Sequence, residues 1–301
     1  MTTLSVPPWL KILVGKNKAA LRSSRALSAE NSIREYSLHT VCHAARCPNR
    51  GECFNCGDAT FMVLGNICTR GCRFCAVNKN RPLPPDSQEP ERLADAIKKW
   101  NIQYAVLTMP TRDDLSDGGS HHLARVLHAI HATVPGVKTE PLISDLKGSS
   151  AARYTILDAS PNVVAHNVET VQELYSRVRI GADYSRTLTL LENVKRYNSR
   201  LFTKSGFMVG LGETPAQITA LLRDLRNVGV DILTVGQYLA PSAKHYPVAR
   251  YPLPQEYDVW KQEALEMGFK AVASGPLVRS SYHAGRLYEE ALLAQKLARK
   301  V

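Results

Sequence analysis

The residues best suited to chemistry are cysteines, and all seven lie between positions 42 and 75 of the 301-residue chain. Cys68, Cys72 and Cys75 have the spacing C-x3-C-x2-C in the run CTRGCRFC. Thiolates suit both iron–sulfur clusters and zinc. Three cysteines can bind three irons of a 4Fe–4S cluster and leave the fourth iron open to a substrate group, whereas a structural zinc site fills four positions. The motif therefore favours a redox cluster, with a zinc site that borrows a fourth ligand as the alternative.

A second group of cysteines, in CHAARCPNRGECFNC, comprises Cys42, Cys47, Cys53 and Cys56. By spacing alone, these four residues could form a zinc site. Cys56 could instead be a buried, inert thiol, which is the common state of a free cysteine and the interpretation we favour. A disulfide framework would spread cysteines along a small secreted chain, and the N-terminal sequence lacks the order of a secretory signal. The cysteines therefore indicate metal binding in a reducing compartment.

The elements that must position these residues follow an alternating pattern. Short apolar, partly β-branched runs predict strands, and apolar residues three and four positions apart predict helices between them. Thr214 and Pro215 predict the cap and first residue of one such helix. The predicted strands cover residues 59–65, 103–109, 138–144, 162–167, 202–210, 231–239 and 271–275. The helical stripes are Leu93, Ile97 and Trp100; Leu123, Val126, Leu127 and Ile130; and Ile218, Leu221, Leu222 and Leu225.

This succession predicts an α/β fold with a parallel sheet covered by helices. We favour a partial (β/α)6 TIM-type barrel over a doubly wound sheet or a complete barrel, because polar groups follow the strand ends, where barrel sites are built. Residues 1–58 are predicted to form a polar, irregular N-terminal extension with a short helix near 28–36. Residues 59–275 form the barrel, and residues 276–301 form a C-terminal helical tail.

The motifs resemble those of a known family. C-x3-C-x2-C after the first predicted strand resembles the radical S-adenosylmethionine superfamily. The spacing Cys42-x4-Cys47-x5-Cys53 resembles the auxiliary-cluster motif of the lipoyl synthase family. The resemblance extends over residues 40 to 290 and is carried by HTVCHAARCPNRGECF, CTRGCRFCAV, RDDLSDGG, HNVETV, TKSGFMVGLGE and VRSSYHA.

The resemblance implies a sulfurtransferase with two 4Fe–4S clusters and S-adenosylmethionine as cofactors. It implies insertion of sulfur at carbons 6 and 8 of an octanoyl chain on a lysine of a carrier protein. Cys68, Cys72 and Cys75 would hold the cluster that cleaves S-adenosylmethionine. The auxiliary cluster, held by Cys42, Cys47, Cys53 and Ser280, would donate sulfur.

The serine ligand comes from the Arg-Ser-Ser-Tyr motif at residues 279–282. The resemblance assigns Ser280, whereas chemistry alone does not choose between Ser280 and Ser281. The alternative role for these two residues is capping of the last helix.

Polar residues after other strands are candidates for the pocket that binds S-adenosylmethionine or substrate. Arg112 and Asp113 follow the second strand, in a loop that could equally be solvated and cap a helix through Asp117. The remaining candidates follow or lie in later strands: His166, Asn167, Glu169 and Lys204. The first three could instead form a core polar cluster, and a lysine in a strand must face a partner or a cavity.

The resemblance also implies partners. These are octanoylated lipoyl carrier proteins (2-oxoacid dehydrogenase acyltransferase subunits and the glycine cleavage H protein), an electron donor such as ferredoxin or flavodoxin, and an iron–sulfur carrier protein. The net charge of +11 would suit acidic carrier domains. No nucleic-acid-binding helix pattern and no apolar stretch of membrane-spanning length occurs, so we predict neither partner and a cytoplasmic location.

Two other functions compete with this interpretation. A biotin-synthase-like sulfur inserter would share the radical motif, but the upstream cysteines and the Arg-Ser-Ser-Tyr motif argue against it. A zinc protein that binds nucleic acid would account for clustered cysteines and high pI, and it would be colourless where an iron–sulfur protein is brown.

Overall fold

The computed structural model of the chain describes residues 4–298. The outermost three residues at each end, which belong to the predicted extension and tail, lie outside the described residues. The described chain forms two compact units. The N-terminal unit comprises residues 12–71 and 76–162, and the C-terminal unit comprises residues 4–11, 72–75 and 163–298.

The N-terminal unit combines a mainly parallel sheet with helices. Its strands are β1 (His39–Thr40), β2 (Thr60–Met62), β3 (Ile67–Cys68), β4 (Asn78–Lys79), β5 (Tyr104–Thr108) and β6 (Lys138–Leu142). Its helices are α1 (Pro8–Ala20, from residue 12 onward), α2 (Ser24–Glu35), α3 (Val41–Ala44), α4 (Arg50–Cys56), α5 (Glu89–Lys99), α6 (Ser120–Thr133), a 3-10 helix (Leu146–Gly148) and α7 (Ser150–Asp158). The sheet runs β1-β2-β5-β6, with only the β1–β2 pair antiparallel. β3 and β4 form a separate parallel pair.

The C-terminal unit repeats the strand–helix pattern. Its strands, β7 (Val163–Ala165), β8 (Phe202–Val209), β9 (Ile232–Gln237) and β10 (Ala271–Gly275), pair in parallel in that order. Its helices are a 3-10 helix (Gln172–Leu174), α8 (Tyr175–Val178), α9 (Tyr184–Tyr197), α10 (Pro215–Asn227), α11 (Pro254–Glu266) and α12 (Ala284–Ala298). The longest helix, α12, has 15 residues. Within residues 4–298, no helix has the length and apolar character needed to cross a membrane.

All seven predicted strands are confirmed, and α10 shows why the helix predictions also hold. Thr214 caps α10 in a reciprocal pair with Gln217, and Pro215 occupies its first turn. Its predicted stripe is buried: Ile218, Leu221, Leu222 and Leu225 are at most 1% exposed. Burial of each such side chain contributes about 1.5–3 kcal/mol, so this face fixes α10 to its unit.

The short helix predicted near residues 28–36 is confirmed by α2, but the prediction that the rest of the extension is irregular is wrong, because α1, α3 and α4 also lie there. α1 begins at Pro8, which is well tolerated there because the first helical turn leaves backbone N–H groups without an intrahelical acceptor. These helices bury few residues: α1 buries Leu10, and α2 buries Ala26 and Ile33. Since few residues face inward, the sequence shows no strong apolar periodicity there.

A close backbone contact in this region brings α1 against α4. A Cβ atom on Gly51 of α4 would lie 2.0 Å from the backbone oxygen of Asn17 and 2.8 Å from the backbone nitrogen of Leu21. The Asn17 side chain also donates a hydrogen bond to Asn49, at 3.1 Å. Only glycine permits this approach, which determines where α4 lies.

We expect Gly51→Ala to lower the thermal unfolding midpoint of the chain, because the added methyl group must push α4 away from α1. Overpacking of this kind costs about 1–3 kcal/mol. Gly15→Ala is the matched control, since a Cβ there has no neighbour within 4 Å and alanine favours a helix. Circular dichroism should show a lower midpoint for the first variant and an unchanged or higher one for the second. Equal midpoints would contradict the close contact.

Candidate functional site

Three of the upstream cysteines lie together in the N-terminal unit. Cys42 belongs to α3, Cys53 belongs to α4, and Cys47 lies in the turn between these helices. The backbone N–H of Cys47 donates to the carbonyl of Cys42 at 3.1 Å, and the carbonyl of Cys47 accepts from Arg50 at 3.4 Å. These bonds fold the C-x4-C-x5-C segment tightly enough to bring its three thiols into one neighbourhood.

The acidities of the thiols report the same proximity. Burial, with a smaller contribution from the neighbouring Cys47, raises the pKa of Cys42 to about 12. Burial also raises the pKa of Cys53, with additional contributions from Cys42 and Cys47. Cys42 and Cys53 thus resist ionisation, and a coordinated metal would supply the positive charge that their thiolate forms need. The donor set therefore fits a metal cluster.

Cys56 does not join this group. It is the last residue of α4 and is exposed, so the expectation of a buried thiol is wrong. Gly57 follows it in a left-handed conformation and ends the helix. No three His, Cys, Asp or Glu side chains in residues 4–298 are placed to hold a single metal ion. The four-cysteine zinc site that the spacing left open is thus not preformed in this structure.

An acidic residue of α2 connects the two cysteine-bearing helices. Glu30 is 2.8 Å from the imidazole Nε2 of His43 in α3 and 3.5 Å from Arg50 Nε in α4. The other imidazole nitrogen of His43 is hydrogen-bonded to Thr40 Oγ1 at 2.6 Å. Sequence analysis did not select Glu30, because its spacing from the cysteines carries no motif.

The start of the C-x3-C-x2-C loop is held by hydrogen bonds and ion pairs. Cys68 ends β3, and its sulfur accepts from the backbone N–H of Arg70 at 3.4 Å. Arg70 donates to both carboxylate oxygens of Asp113, at 2.7 and 3.0 Å, and to Asp145 at 2.6 Å. Thr69 donates to the carbonyl of Thr111 from both its backbone N–H and its hydroxyl, at 3.0 and 2.9 Å. The loop is therefore fixed to the segments that follow β5 and β6.

Burial alone lowers the pKa of Arg70, but hydrogen bonds and charges from Asp113 and Asp145 outweigh it and raise the pKa. The guanidinium therefore stays charged. Asp113 was a candidate for the cofactor pocket, and this structure commits both its carboxylate oxygens to Arg70. Sequence analysis did not select Arg70, which lies between two of the cysteines, or Asp145, which lies in the loop after β6.

Arg112, another pocket candidate, is 1% exposed and contacts protein atoms with all three guanidinium nitrogens. It forms a forked pair with Asp114, with its shortest contact at 2.8 Å. It also donates to the carbonyls of Leu64 and Leu83, at 3.1 and 2.9 Å. Asp117 caps α6 by accepting from the backbone N–H groups of Gly119 and His121. Sequence analysis had left open whether this loop caps a helix or lines a cofactor pocket, and the structure shows the cap at Asp117.

In the C-terminal unit, two half-buried charged residues, Arg179 and Glu169, lie near Cys72 of the cysteine motif. Arg179 interacts electrostatically with Cys72 and Glu169 and donates to Tyr175 Oη at 2.6 Å. Burial acts to lower the pKa of Arg179, and these neighbours raise it overall. Burial raises the pKa of Glu169, which the charge of Arg179 and a hydrogen bond from Asn167 offset only in part. Arg179 was missed by sequence analysis because it lies outside every motif used there.

The backbone of Glu169 is in an uncommon conformation, and the side-chain oxygen of Asn167 is a buried hydrogen-bond acceptor. Glu169 has φ +69°, an uncommon left-handed conformation for a non-glycine residue, and its backbone forms a bridge to β8 at Phe207. Asn167 donates to Glu169 Oε1 at 3.1 Å. Its own Oδ1 is buried without a donor among residues 4–298. Because a buried amide oxygen is costly without a partner, this atom fits a hydroxyl or amino group of a bound cofactor.

The other two candidates in this unit are fully buried. His166 Nε2 is 3.2 Å from Thr187 Oγ1 and 3.4 Å from Arg179 Nη2. Lys204 lies in β8, opposite Ile232 of β9 and Ala165 of β7. His166 thus belongs to the same buried network as Arg179.

The Arg-Ser-Ser-Tyr turn lies directly over β9. Ser280 and Ser281 are half-buried in the turn before α12. A Cβ on Gly236 would lie 2.1 Å from the carbonyl oxygen of Val278. The backbone N–H of Gln237 also donates to Pro276 at 3.3 Å. Glycine at position 236 therefore allows the chain before Ser280 to pack on the strand.

Comparisons with known proteins agree with this fold. A model of the Radical SAM superfamily matches residues 62–225, which are 164 of the 301 residues. Methylornithine synthase has a similar structure, with TM-score 0.53 and 16% identity over 87% of this chain and 77% of that chain. HydG, a maturase of the FeFe-hydrogenase, gives TM-score 0.52 and 13% identity over 92% and 74%. At such identities the likeness is one of fold.

The fold and the cysteine loop thus define a radical SAM protein, and the predicted partial-barrel α/β class is confirmed. The lipoyl synthase of Caldanaerobacter subterraneus subsp. tengcongensis is 47% identical over 94% of this chain and 96% of its own length. That of Rubrobacter xylanophilus is 52% identical over 95% and 87%. The chain belongs to the lipoyl synthase family. Its cofactors are therefore 4Fe–4S clusters and S-adenosylmethionine, as predicted.

We expect iodoacetamide to modify the exposed Cys56 first, and Cys42 and Cys53 last, in cluster-free protein at pH 8, because burial raises the pKa of both later thiols. Because the pKa of Cys42 is raised to about 12, roughly one in 10,000 of these thiols is ionised at that pH, and only the thiolate reacts. Raising the pH to 10 should accelerate modification of Cys42 roughly 100-fold. Peptide mass spectrometry over time measures both rates. Similar rates at pH 8 would contradict the burial of Cys42.

We expect Arg70→Lys to accelerate loss of the cluster bound by the C-x3-C-x2-C loop. Lysine keeps the charge but loses the fork that binds Asp113, and charged hydrogen bonds are worth about 1.5–3 kcal/mol. The expected acceleration is on the order of 10-fold or more. The measurement is bleaching of cluster absorbance by an iron chelator, in a background with Cys42, Cys47 and Cys53 replaced by alanine.

Arg73→Lys is the matched control for this experiment. Arg73 lies in the same loop, but it is exposed, and its guanidinium makes a 3.5 Å contact with the carbonyl of Arg177 and a contact with the Tyr246 ring, with no carboxylate partner among residues 4–298. Bleaching at the wild-type rate is expected. If both variants bleach alike, Arg70 does not fix the loop.

Proposed function

We propose that this chain inserts two sulfur atoms, at carbons 6 and 8, into an octanoyl chain bound to a lysine of a lipoyl carrier protein. The observation that carries the proposal is the grouping of Cys42, Cys47 and Cys53, in a chain about half identical to lipoyl synthases over nearly its whole length. A second cluster beside the radical cluster is what a sulfur donor requires. The grouping favours this function over that of a radical enzyme with one cluster.

In this proposal, Cys68, Cys72 and Cys75 hold the cluster that reacts with S-adenosylmethionine. When bound, that cluster and S-adenosylmethionine supply a carbon radical that removes hydrogen from unactivated carbon, which no acid or base side chain can do. All three cysteines carry thiols that are not joined in disulfides, and thiolates suit iron. Arg70 fixes the start of their loop through its two carboxylate partners.

The pocket residues act by binding and orientation. Asn167 Oδ1 offers an unused buried acceptor to S-adenosylmethionine, and the Asn167 side chain is itself oriented by Glu169. Arg179 supplies a half-buried positive charge near Cys72. Arg112 and Asp113 act as positioning residues, since their side chains are committed to protein partners. For Lys204, we keep the proposal that it faces the substrate pocket.

The auxiliary cluster is proposed to have Cys42, Cys47, Cys53 and Ser280 as ligands. Ser280 is the assignment that the family motif suggests, and the packing of Val278 over Gly236 supports a fixed position for the turn that carries it. An oxygen ligand binds iron of such a cluster less well than thiolate does. One weaker corner would suit a cluster that must give up sulfur. The chain would then consist of an extension that bears the auxiliary cluster (residues 1–58), the barrel (59–275) and the tail with the serine ligand (276–301).

A lipoyl carrier protein is the macromolecular substrate that family membership implies. Among carriers, we propose acyltransferase subunits of 2-oxoacid dehydrogenases and the glycine cleavage H protein. A ferredoxin or flavodoxin would supply electrons, and an iron–sulfur carrier protein would restore the auxiliary cluster. We propose a cytoplasmic location, because thiolate-held clusters need a reducing compartment.

The test is anaerobic iron and sulfide content, compared between the intact chain and a variant with Cys42, Cys47 and Cys53 replaced by alanine. We expect about eight irons to fall to about four, because three-cysteine ligation of each cluster predicts two 4Fe–4S centres. The variant should still cleave S-adenosylmethionine but form no lipoyl group on an octanoylated carrier. About four irons in both proteins would overturn the auxiliary-cluster assignment.

Ser280→Ala and Ser281→Ala distinguish the two serines within the same assay. We expect Ser280→Ala to lose auxiliary iron to a chelator faster than the intact chain does, while Ser281→Ala behaves as the control. The reverse result would transfer the ligand role to Ser281.

A further inference from the structure

The positive charge of the chain is concentrated at its N-terminal end. Lysine and arginine occur throughout, but the first acidic residue is Glu30. Residues 1–29 contain five basic residues and no acidic one, so they contribute +5 of the net +11. Fewer than a tenth of the residues thus carry nearly half of the excess charge. Such an asymmetry points to an acidic partner for this segment.

These charges are displayed on a helical surface and are not neutralised. Lys16 and Lys18 on α1, Arg22 in the following turn and Arg25 on α2 are exposed. None of these four forms an ion pair with an acidic residue of the described chain. Ile12 and Leu13 are also exposed on α1, by 59% and 37%. We call this set of six residues the α1–α2 surface.

The arrangement of the α1–α2 surface fits a protein better than a lipid bilayer. At 100° per residue, Lys16 lies between Ile12 and Leu13 around α1, so the exposed apolar residues form no continuous stripe. A helix that lies in a membrane needs such a stripe to insert. The apolar residue Leu10 of α1 is instead fully buried. Exposed apolar residues surrounded by charges are typical of a protein interface.

The other side of the same helices supports the proposed sulfur-donor cluster. α1 packs closely on Gly51 of α4, and Glu30 of α2 contacts both His43 and Arg50. α4 carries Cys53. A partner bound to the α1–α2 surface would therefore lie on the helices that position the auxiliary cysteines.

We propose that the α1–α2 surface is the docking site for an acidic face of the octanoylated carrier domain. This inference rests on the proposed function and specifies where its macromolecular substrate binds. Opposite charges steer the carrier to α1 and α2, and the exposed side chain of Ile12 provides apolar contact beside Lys16. Docking of this kind affects encounter and binding rather than the chemical step.

The experiment uses the anaerobically reconstituted full chain and compares K16E/K18E with the control K98E/K261E. Both variants change the formal charge by the same amount, and Lys98 and Lys261 are exposed on α5 and α11. The substrates are an octanoylated lipoyl-carrier domain of net negative charge and a short neutral octanoyl-lysine peptide. Equilibrium binding of the same domain is measured beside KM and kcat. Ile12→Ser tests the apolar contribution.

We expect K16E/K18E to raise KM and Kd for the carrier domain by about 10-fold at low salt, with the difference shrinking as salt screens the charges. Its kcat and its kinetics with the neutral peptide should equal those of the intact chain. K98E/K261E should behave as the intact chain in every assay. Ile12→Ser should weaken carrier binding at all salt concentrations.

Several outcomes would overturn the docking site. Carrier binding that is equal in K16E/K18E and K98E/K261E would do so, even if the intact chain makes the lipoyl group. Absence of carrier binding to the intact chain would also do so. Binding to phosphatidylglycerol vesicles that K16E/K18E loses, with carrier KM unchanged, would assign the surface to a membrane. Binding of carrier without any sulfur insertion would leave the docking site in place and overturn the proposed function.

Discussion

The contact of Arg70 with Asp113 and Asp145 fixes the reactive cysteine loop to the parallel sheet. β5 and β6 are neighbours in the sheet, so the segments after their carboxyl ends meet at one edge. The two aspartates follow those strands, and a single guanidinium inserted between the cysteines binds both. A buried charge is tolerated only when it is paired. If the loop moved away from the sheet edge, Arg70 and its two aspartate partners would lose their ion pairs, and the buried charges among them would be left unpaired.

The auxiliary cysteines depend on a different constraint, which is the packing of short helices. α3 and α4 are too short to be stable alone. Their positions follow from the glycine contact between α1 and α4 and from Glu30, which contacts both. This assembly holds three thiols together, and burial disfavours the charged forms of two of them, Cys42 and Cys53. Binding of a cluster there must release protons, and its free energy must also offset the desolvation of the thiolates.

The same helices have two faces with different tasks. Their inner face carries few buried residues and positions Cys53, and their outer face displays unneutralised positive charge. Such a division is consistent with a reaction in which a large carrier must bring a small acyl chain to a sulfur donor. The charged surface contributes to recognition at long range, whereas the buried thiols and ion pairs determine the local geometry.

The strands of the sheet and the helix α10 were predictable because their burial leaves a periodic pattern in the sequence. Among the helices of residues 8–56 only α2 was predicted; α1, α3 and α4 were not, because each buries only one or two residues. Sequence analysis selected Arg112 as a polar residue that follows a strand, and in the structure it does follow β5. Its involvement with Asp114, Leu64 and Leu83 could not be predicted, because the last two lie 48 and 29 residues away along the chain.

The sequence by itself determined the ligand chemistry and the family, because cysteine spacing and long shared motifs are local properties of the chain. Only the tertiary structure decided that Cys42, Cys47 and Cys53 lie together while Cys56 points to solvent. It also decided that Arg70 binds carboxylates 43 and 75 residues away. These are consequences of how helices pack and strand ends align. Burial and long-range charge pairing arise only when the whole chain is folded, so no local pattern encodes them.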